Sequence, residues 1–215
     1  MQHFKDIGHD PSVHDITYEN VQARERTQIL MDLANKHHGI LIGTGDLSEL
    51  VLGWCTYNGD HMSMYGVNCS IPKTLVKYLI EWYAEEVKEK NPTLSTILED
   101  IINTPISPEL LPSNGKDVVQ ETESTVGPYE VIDFFIYYLL RKHFSRAKII
   151  FLATVAFEQK YSLSQLEKYY DDFISRFFRN QFKRNCLPDG PKVGTVSVSP
   201  RGDLRLPSDA DGSIW

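Results

Sequence analysis

The hydrophobic positions of this chain recur mostly with a helical period. Between Thr17 and Lys36, Ala23, Leu30, Leu33 and Ala34 share one face, which predicts an amphipathic helix. Thr17 is placed to cap it and Gly39 to stop it. Arg26 projects into the same face, where a guanidinium needs a partner or a place at the rim of the core. Ile40, Leu41 and Ile42 then form a short apolar run, the best strand candidate in the chain. Gly43-Thr-Gly45 lets the backbone turn sharply after it. A short helix follows from Leu47 to about Trp54, with Asp46 and Glu49 at capping-box spacing. Ser70 and Pro72 open a helix over about 71–90, with Leu75, Leu79 and Trp82 at helical spacing.

Further helices are predicted at Thr93 to Ile102, 128–143, 146–158 and 163–182. The segment 146–158 is apolar nearly all round and reads as buried. The aromatic stretch Asp133 to Tyr138 reads either as core or as a homodimer face. Val193 to Val198 alternates like a strand. Two stretches lack a period. Tyr57 to Asn68 mixes polar, aromatic and glycine residues, and loops of that length are often functional. Residues 103–127 are rich in Pro, Gly and Ser, which predicts an irregular loop suited to be a lid.

One convincing strand cannot make a sheet. Yet a strand, a glycine turn and a helix start in that order belong to parallel sheets, where helix N-termini receive phosphates. Either the chain is mostly helical, or the other strands lie upstream of these residues, a first hint of a C-terminal piece of a larger α/β enzyme.

Composition narrows the function classes. The 215 residues are 41% hydrophobic and 24% charged, ordinary for a globular domain. The net charge of −7 weighs against nonspecific nucleic-acid binding. Cys55, Cys69 and Cys186 show no metal-type spacing and no even-numbered framework, which fits free thiols in a reducing compartment. No apolar run reaches transmembrane length and the first residues lack a signal-peptide core. The cytoplasm is the expected location, with no membrane partner.

The candidate chemistry is acidic and cationic, not nucleophilic. Glu49 can ligate magnesium beside a phosphate, or can serve only the capping box with Asp46. Lys73 stands in the first turn of a predicted helix, where the dipole disfavours a cation unless an anion shares the helix start. Asp60 and His61 sit in a glycine-flanked loop, where Asx turns also use such residues. Asn20, Arg24 and Arg26 offer planar hydrogen bonds to phosphate or carboxylate, or simply a helix surface. Lys183-Arg184 ends a helix, where cations are favoured structurally. His37 and His38 read as solvated helix-end residues. Asp203 and Arg205 lie in the tail after Pro200. No Ser/His/Asp arrangement, GxxxxGK[ST] or GxGxxG occurs.

Taken in order, Tyr18-Glu-Asn-Val-Gln-Ala-Arg-Glu-Arg26, Gly43-Thr-Gly-Asp-Leu-Ser-Glu49, Tyr57-Asn-Gly-Asp60, Ile71-Pro-Lys73, Thr104-Pro-Ile-Ser-Pro-Glu-Leu110, Phe182-Lys-Arg184 and Pro188-Asp-Gly-Pro-Lys192 resemble the synthetase domain of NAD synthetase. The tail, Ser199-Pro-Arg-Gly-Asp203 and Pro207-Ser-Asp-Ala210, resembles the glutamine-dependent type. The resemblance implies the doubly wound, parallel-sheet α/β fold of the ATP pyrophosphatases, like that of the adenine nucleotide alpha hydrolases, here as a helix-rich C-terminal portion without its first strands and first phosphate loop. It implies adenylation of nicotinic acid adenine dinucleotide by Mg-ATP, then displacement of AMP by ammonia to give NAD. In that type a glutaminase domain supplies the ammonia, and members form homodimers or higher homo-oligomers.

Position by position, the resemblance assigns ATP contacts to Thr44, Lys73 and Ser107 and a magnesium-ligand role to Glu49. It assigns dinucleotide-binding roles to Asn20, Arg24, Asp60, Lys183 and Asp203, with Lys73 and Asp60 nearest the chemistry. It divides the chain into a ligase portion, 1–182, and a tail closing over substrate, 183–215. The family's first phosphate loop, Ser-Gly-Gly-x-Asp-Ser, and its glutaminase domain are absent from these residues. The chain is therefore expected to be a C-terminal portion, inactive alone. Two alternatives stay open: another ATP pyrophosphatase amide ligase related to GMP or asparagine synthetases, or a non-catalytic nucleotide-binding or dimerising fragment.

Overall fold

The glycine turn after Ile42 does end a strand, and the strand is parallel to its neighbour. A computed structural model of the chain describes residues 2–107, 110 and 122–212. In it β1 (Ile42–Gly43) pairs with β2 (Tyr65–Gly66), Ile42 opposite Tyr65 and Gly43 opposite Gly66. Gly43 answers to the protein's own packing, since a Cβ there would lie 2.3 Å from Ser63 Oγ. These two short strands are the sheet among the described residues. Everything else regular is helical.

α1 (Gln2–Asp6) and α2 (Ile16–Lys36) precede the sheet. Asp15, not Thr17, caps α2, its carboxylate accepting from the Thr17 and Tyr18 amides at 2.9 and 3.0 Å. α3 (Leu47–Leu52) follows β1, and α4 (Lys73–Val87) and α5 (Pro92–Asn103) follow β2. α6 (Thr122–Val126) adds a helix inside the region read as irregular; the rest of that loop falls partly outside the described residues. α7 (Tyr129–Ile136) runs into a π-turn at Tyr137–Arg141, then come α8 (Arg146–Ala156), α9 (Leu163–Arg179) and α10 (Gln181–Arg184).

The core gathers where α3, α7, α8 and α9 meet. It is built on Val51 and Leu52, Ile132 and Phe135, Ile149 and Ala153, and Leu166 and Phe173. Burying each large side chain contributes roughly 1.5–3 kcal/mol. Phe135 and Ile136 are fully inside, so this part of the aromatic stretch is core, while Tyr137 is exposed. Leu187 and Val198 bring the tail into the same core.

Three expectations need correction. Val193 to Val198 forms no strand, because Val193 is exposed and its amide donates to the Ser70 hydroxyl, not to a ladder. The helix over 146–158 is buried on one side only, with Phe151 and Val155 facing out. On α2, Ala23 is buried but Leu30 and Leu33 are exposed, and Arg26 is solvated. Leu75, Leu79 and Trp82 of α4 are likewise exposed. These helical stripes are real, but nothing among the described residues covers them.

Candidate functional site

Two helix starts meet at the centre of the site. Asp46 and Glu49 complete the capping box of α3: the Glu49 amide donates to Asp46 Oδ1 at 3.0 Å, and the Asp46 amide to Glu49 Oε2 at 3.2 Å. The remaining oxygens of both carboxylates turn to α4. Lys73 Nζ lies 2.7 Å from Asp46 Oδ2 and 2.7 Å from Glu49 Oε1. The misplaced cation at the start of α4 is thus held by two carboxylates of the chain itself, and it also lies over the Tyr129 ring at 5.6 Å.

Electrostatics follow from a buried acid, Asp46, and a partly exposed one, Glu49, sharing one ammonium. Burial, then the charge of Glu49, raises the Asp46 carboxyl to about 7, against the pull of Lys73. Burial works to lower the Lys73 ammonium, but the two carboxylates outweigh it and raise its pKa. Lys73 is therefore a firmly protonated, tethered cation. The triad carries one more negative charge than positive when fully ionised, and so favours a further cation beside it.

Glu49 also faces a cavity of about 530 Å³. Among its lining residues are Asn20, Arg24, Glu49, Asp60, Ser107 and Lys183, which come from five separate stretches of sequence. Four of them are held by hydrogen bonds within the chain. Asn20 Oδ1 accepts from the Thr56 hydroxyl at 2.8 Å. Arg24 Nε donates to the Tyr57 carbonyl at 3.1 Å. Asp60 Oδ1 accepts from the Thr56 amide at 2.6 Å, an Asx-type contact that shapes the loop and leaves the carboxylate exposed. Lys183 Nζ donates to the Gly53 and Cys55 carbonyls at 2.8 and 2.6 Å, just past the end of α3. His61, beside Asp60, is buried; Nδ1 meets the Thr56 carbonyl, Nε2 meets Cys186 Sγ, and burial lowers its pKa.

Three predicted residues stand elsewhere. Lys73 opens onto an adjoining cavity of about 560 Å³ between α4, α5 and α7, and joins the first cavity through Glu49. Thr44 is exposed on the β1–α3 turn and lines neither cavity; its carbonyl accepts from Asn68 at 3.4 Å. Asp203 pairs with Lys192 and lines a separate cavity beside Leu139 and Phe177. The single chain does not bring Asp203 to the other site residues.

Sequence reasoning missed several members. Arg176 of α9 lines the larger group's cavity and stacks over Trp54 at 5.4 Å. Asn180 donates to the Leu52 carbonyl at 3.1 Å. Neither had a local signal, since both arrive from about 130 positions away. Asp133 had one: it is a lone acid inside an otherwise apolar helix, Val131 to Ile136. Its carboxylate accepts from the Ser48 hydroxyl, and from the Thr74 amide and hydroxyl at 3.0 and 2.6 Å.

The cavity can bind anions through Arg24, Arg176 and Lys183, and aromatic rings against Trp54, Tyr57 and Phe182. Among the described residues no three His, Cys, Asp or Glu side chains form a metal cage. No described helix is long and apolar enough to cross a membrane.

The family model described as NAD synthase matches residues 1–185. The chain is 43% identical to the glutamine-dependent NAD(+) synthetase of Mycobacterium leprae over 98% of its own length and 34% of that protein. It is 30% identical to the corresponding synthetase of Acinetobacter baylyi over 86% of its length and 30% of that protein. It thus spans about a third of the curated relatives it matches. A crystal structure of a glutamine-dependent NAD(+) synthetase from Cytophaga hutchinsonii shares the fold, with a TM-score of 0.71 at 22% identity over 98% of this chain and 32% of that one. With a matched family model over most of its residues, the chain belongs to the NAD synthase family.

Proposed function

We propose that this chain supplies one wall of the synthetase site of a glutamine-dependent NAD synthetase, which amidates nicotinic acid adenine dinucleotide through an adenylated carboxylate. The observation that carries this reading is the convergence of Asn20, Arg24, Glu49, Asp60, Ser107 and Lys183 on one cavity, with Lys73 tethered to its Glu49 edge.

The chemistry asks for residues of this kind. Attack of the substrate carboxylate on the α-phosphorus of ATP gives an acyl adenylate and releases pyrophosphate. Negative charge builds on the phosphates, and a fixed ammonium such as Lys73 stabilises it electrostatically. Ammonia then displaces AMP and loses a proton. Ammonia is itself the nucleophile, so no nucleophilic side chain is required of the protein. Arg24 and Lys183 orient the dinucleotide, and Asp60 stands at its nicotinate end. Thr44 and Ser107 are assigned to ATP, and the tail 183–215 to closing over substrate, with Asp203 acting from a second copy.

Magnesium is implied by Mg-ATP. The donor set fits it: magnesium keeps most of its waters and needs one or two carboxylates besides the phosphates, and Glu49 is a partly exposed carboxylate at the cavity wall. When bound, the ion would neutralise phosphate charge. Partners are ammonia from a glutaminase domain and a second copy of the chain. Exposed Tyr78, Leu79 and Trp82 on α4 support burial against further protein.

Calorimetric titration of the purified chain tests the reading. Nicotinic acid adenine dinucleotide with Mg-ATP binds, xanthosine monophosphate does not, and the Lys183→Met variant loses about tenfold in dinucleotide affinity. Equal binding of xanthosine monophosphate would favour another amide ligase of the same fold. In an assay with ammonia, Mg-ATP and the dinucleotide, the 215-residue chain alone gives no NAD.

A further inference from the structure

The start of α4 carries Lys73, yet α4 does not cap itself. Its N-cap residue is Pro72, which has no side-chain hydrogen bond to give. The free amides of Lys73 and Thr74 are satisfied from two other helices. The Lys73 amide donates to Ser48 Oγ of α3 at 2.9 Å. The Ser48 hydroxyl in turn donates to Asp133 of α7. The other Asp133 oxygen takes the Thr74 amide at 3.0 Å and the Thr74 hydroxyl at 2.6 Å. One half-buried carboxylate thus caps α4 at two points, directly through Thr74 and by relay through Ser48.

Ser48 adjoins Glu49 in the sequence, and Thr74 adjoins Lys73. The clamp therefore fixes the two backbones that bear the Glu49–Lys73 pair. A negative group at a helix N-terminus is electrostatically favourable, and its charge offsets the cation that Lys73 places at the same end. Ser48 is fully buried, so water cannot replace the relay without local opening. Burial raises the Asp133 carboxyl, while its three hydrogen bonds and the charge of Lys73 work the other way.

We propose that Asp133 is a positioning residue for this site: through Ser48 and Thr74 it holds Lys73 in register with Glu49, so that phosphate binding depends on it although it touches no ligand. The proposal rests on the reading that Lys73 and Glu49 receive Mg-ATP. It requires that losing Asp133 and losing Lys73 be the same loss, not two separate ones.

The test uses the full 215-residue chain as parent, D133N, K73M and the double variant. D133N is nearly isosteric and loses the carboxylate charge and one set of acceptor contacts. Circular dichroism establishes that each variant is folded. Calorimetric titration with Mg-ATP is expected to show about a tenfold weaker affinity for D133N. In the double variant the affinity is expected to be no worse than in K73M alone. Losses that multiply, or a folded D133N binding as the parent does, overturn the proposal. If the parent itself binds no Mg-ATP, the functional reading fails but the clamp is still tested. The same four proteins in urea unfolding then report coupling between positions 133 and 73. Contacting groups of one network give about a threefold or greater non-additivity in the folding constant. Strict additivity would sink the proposal whatever the ligand.

Discussion

Arg184 is the largest fully buried side chain of the chain, 1% exposed, and no carboxylate pairs with it among the described residues. Its guanidinium lies instead on helix ends. Nη1 donates to the Val51 carbonyl at 2.7 Å in the last turn of α3, and Nη2 to the Phe177 carbonyl in the last turn of α9. Nε and Nη2 reach Gln181 Oε1 at 3.1 and 2.9 Å, and the group stacks over the Phe177 ring at 4.3 Å. Terminal carbonyls lack intrahelical partners and carry the negative end of the dipole, so two helix ends stand in for a counter-ion. Burial lowers the guanidinium to about 10, which still leaves it charged at neutral pH.

Arg184→Met removes the charge and leaves three buried oxygens without this donor. Each such oxygen costs about 1–3 kcal/mol, while the buried methionine returns about 1–2 kcal/mol. A net loss of about 3 kcal/mol follows. With a urea slope of about 3 kcal/mol/M for a chain of this size, the unfolding midpoint drops by about 1 M. Arg184→Lys keeps a cation but not the planar fork, so about half the loss is expected. Equilibrium urea unfolding followed by far-UV circular dichroism measures both. A shift below about 0.3 M for Arg184→Met would refute the claim that this cation ties α3 to α9.

Other outcomes follow from the same structure. Because the Asp46 carboxyl is raised from 3.8 to about 7, the folded chain binds more protons than the unfolded one between those values. This carboxyl therefore subtracts stability as pH climbs from 4 to 7; Lys73→Met removes the opposing cation and extends that loss above pH 7, checked by urea midpoints from pH 4 to 9 in metal-free buffer. A loss that levels off near pH 7 in Lys73→Met as in the parent would contradict the shared-ammonium picture. Gly53 has φ 61°, and a Cβ there would fall 2.2 Å from the Asn180 Cβ, so Gly53→Ala is expected to destabilise the chain by about 1–3 kcal/mol, read as a lowered thermal midpoint. Lys183→Met removes two bonds to carbonyls past α3 and is expected to cost about 1–2 kcal/mol of stability. A parent-like midpoint for that variant would mean that Lys183 does not tie α10 to the loop after α3.

Local patterns were legible where the cause is local. The capping box at Asp46 and Glu49 lies within one helical turn, and the glycine turn at Gly43 is a matter of one residue's sterics. A lysine at a helix start suggested an anionic ligand there, or a solvated surface lysine; in the structure two carboxylates of the chain itself, Asp46 and Glu49, hold it. The Val193 to Val198 alternation misled because a strand needs a neighbour, and Ser70 took the amide first. The stripes on α2 and α4 predicted burial that the described residues do not provide.

By itself the sequence determined the helices, the βα turn at Gly43 to Glu49 and the ordered motifs by which the family is recognisable. All of these depend on side chains within a few residues of one another, or on order along the chain. Which of those residues share one cavity was decided by the tertiary structure. Helix packing carried Lys183 and Arg176 to the end of α3, set Asp133 under α4 and left Asp203 on another face. Such meetings rest on contacts between helices far apart in sequence, and no local period or propensity encodes them.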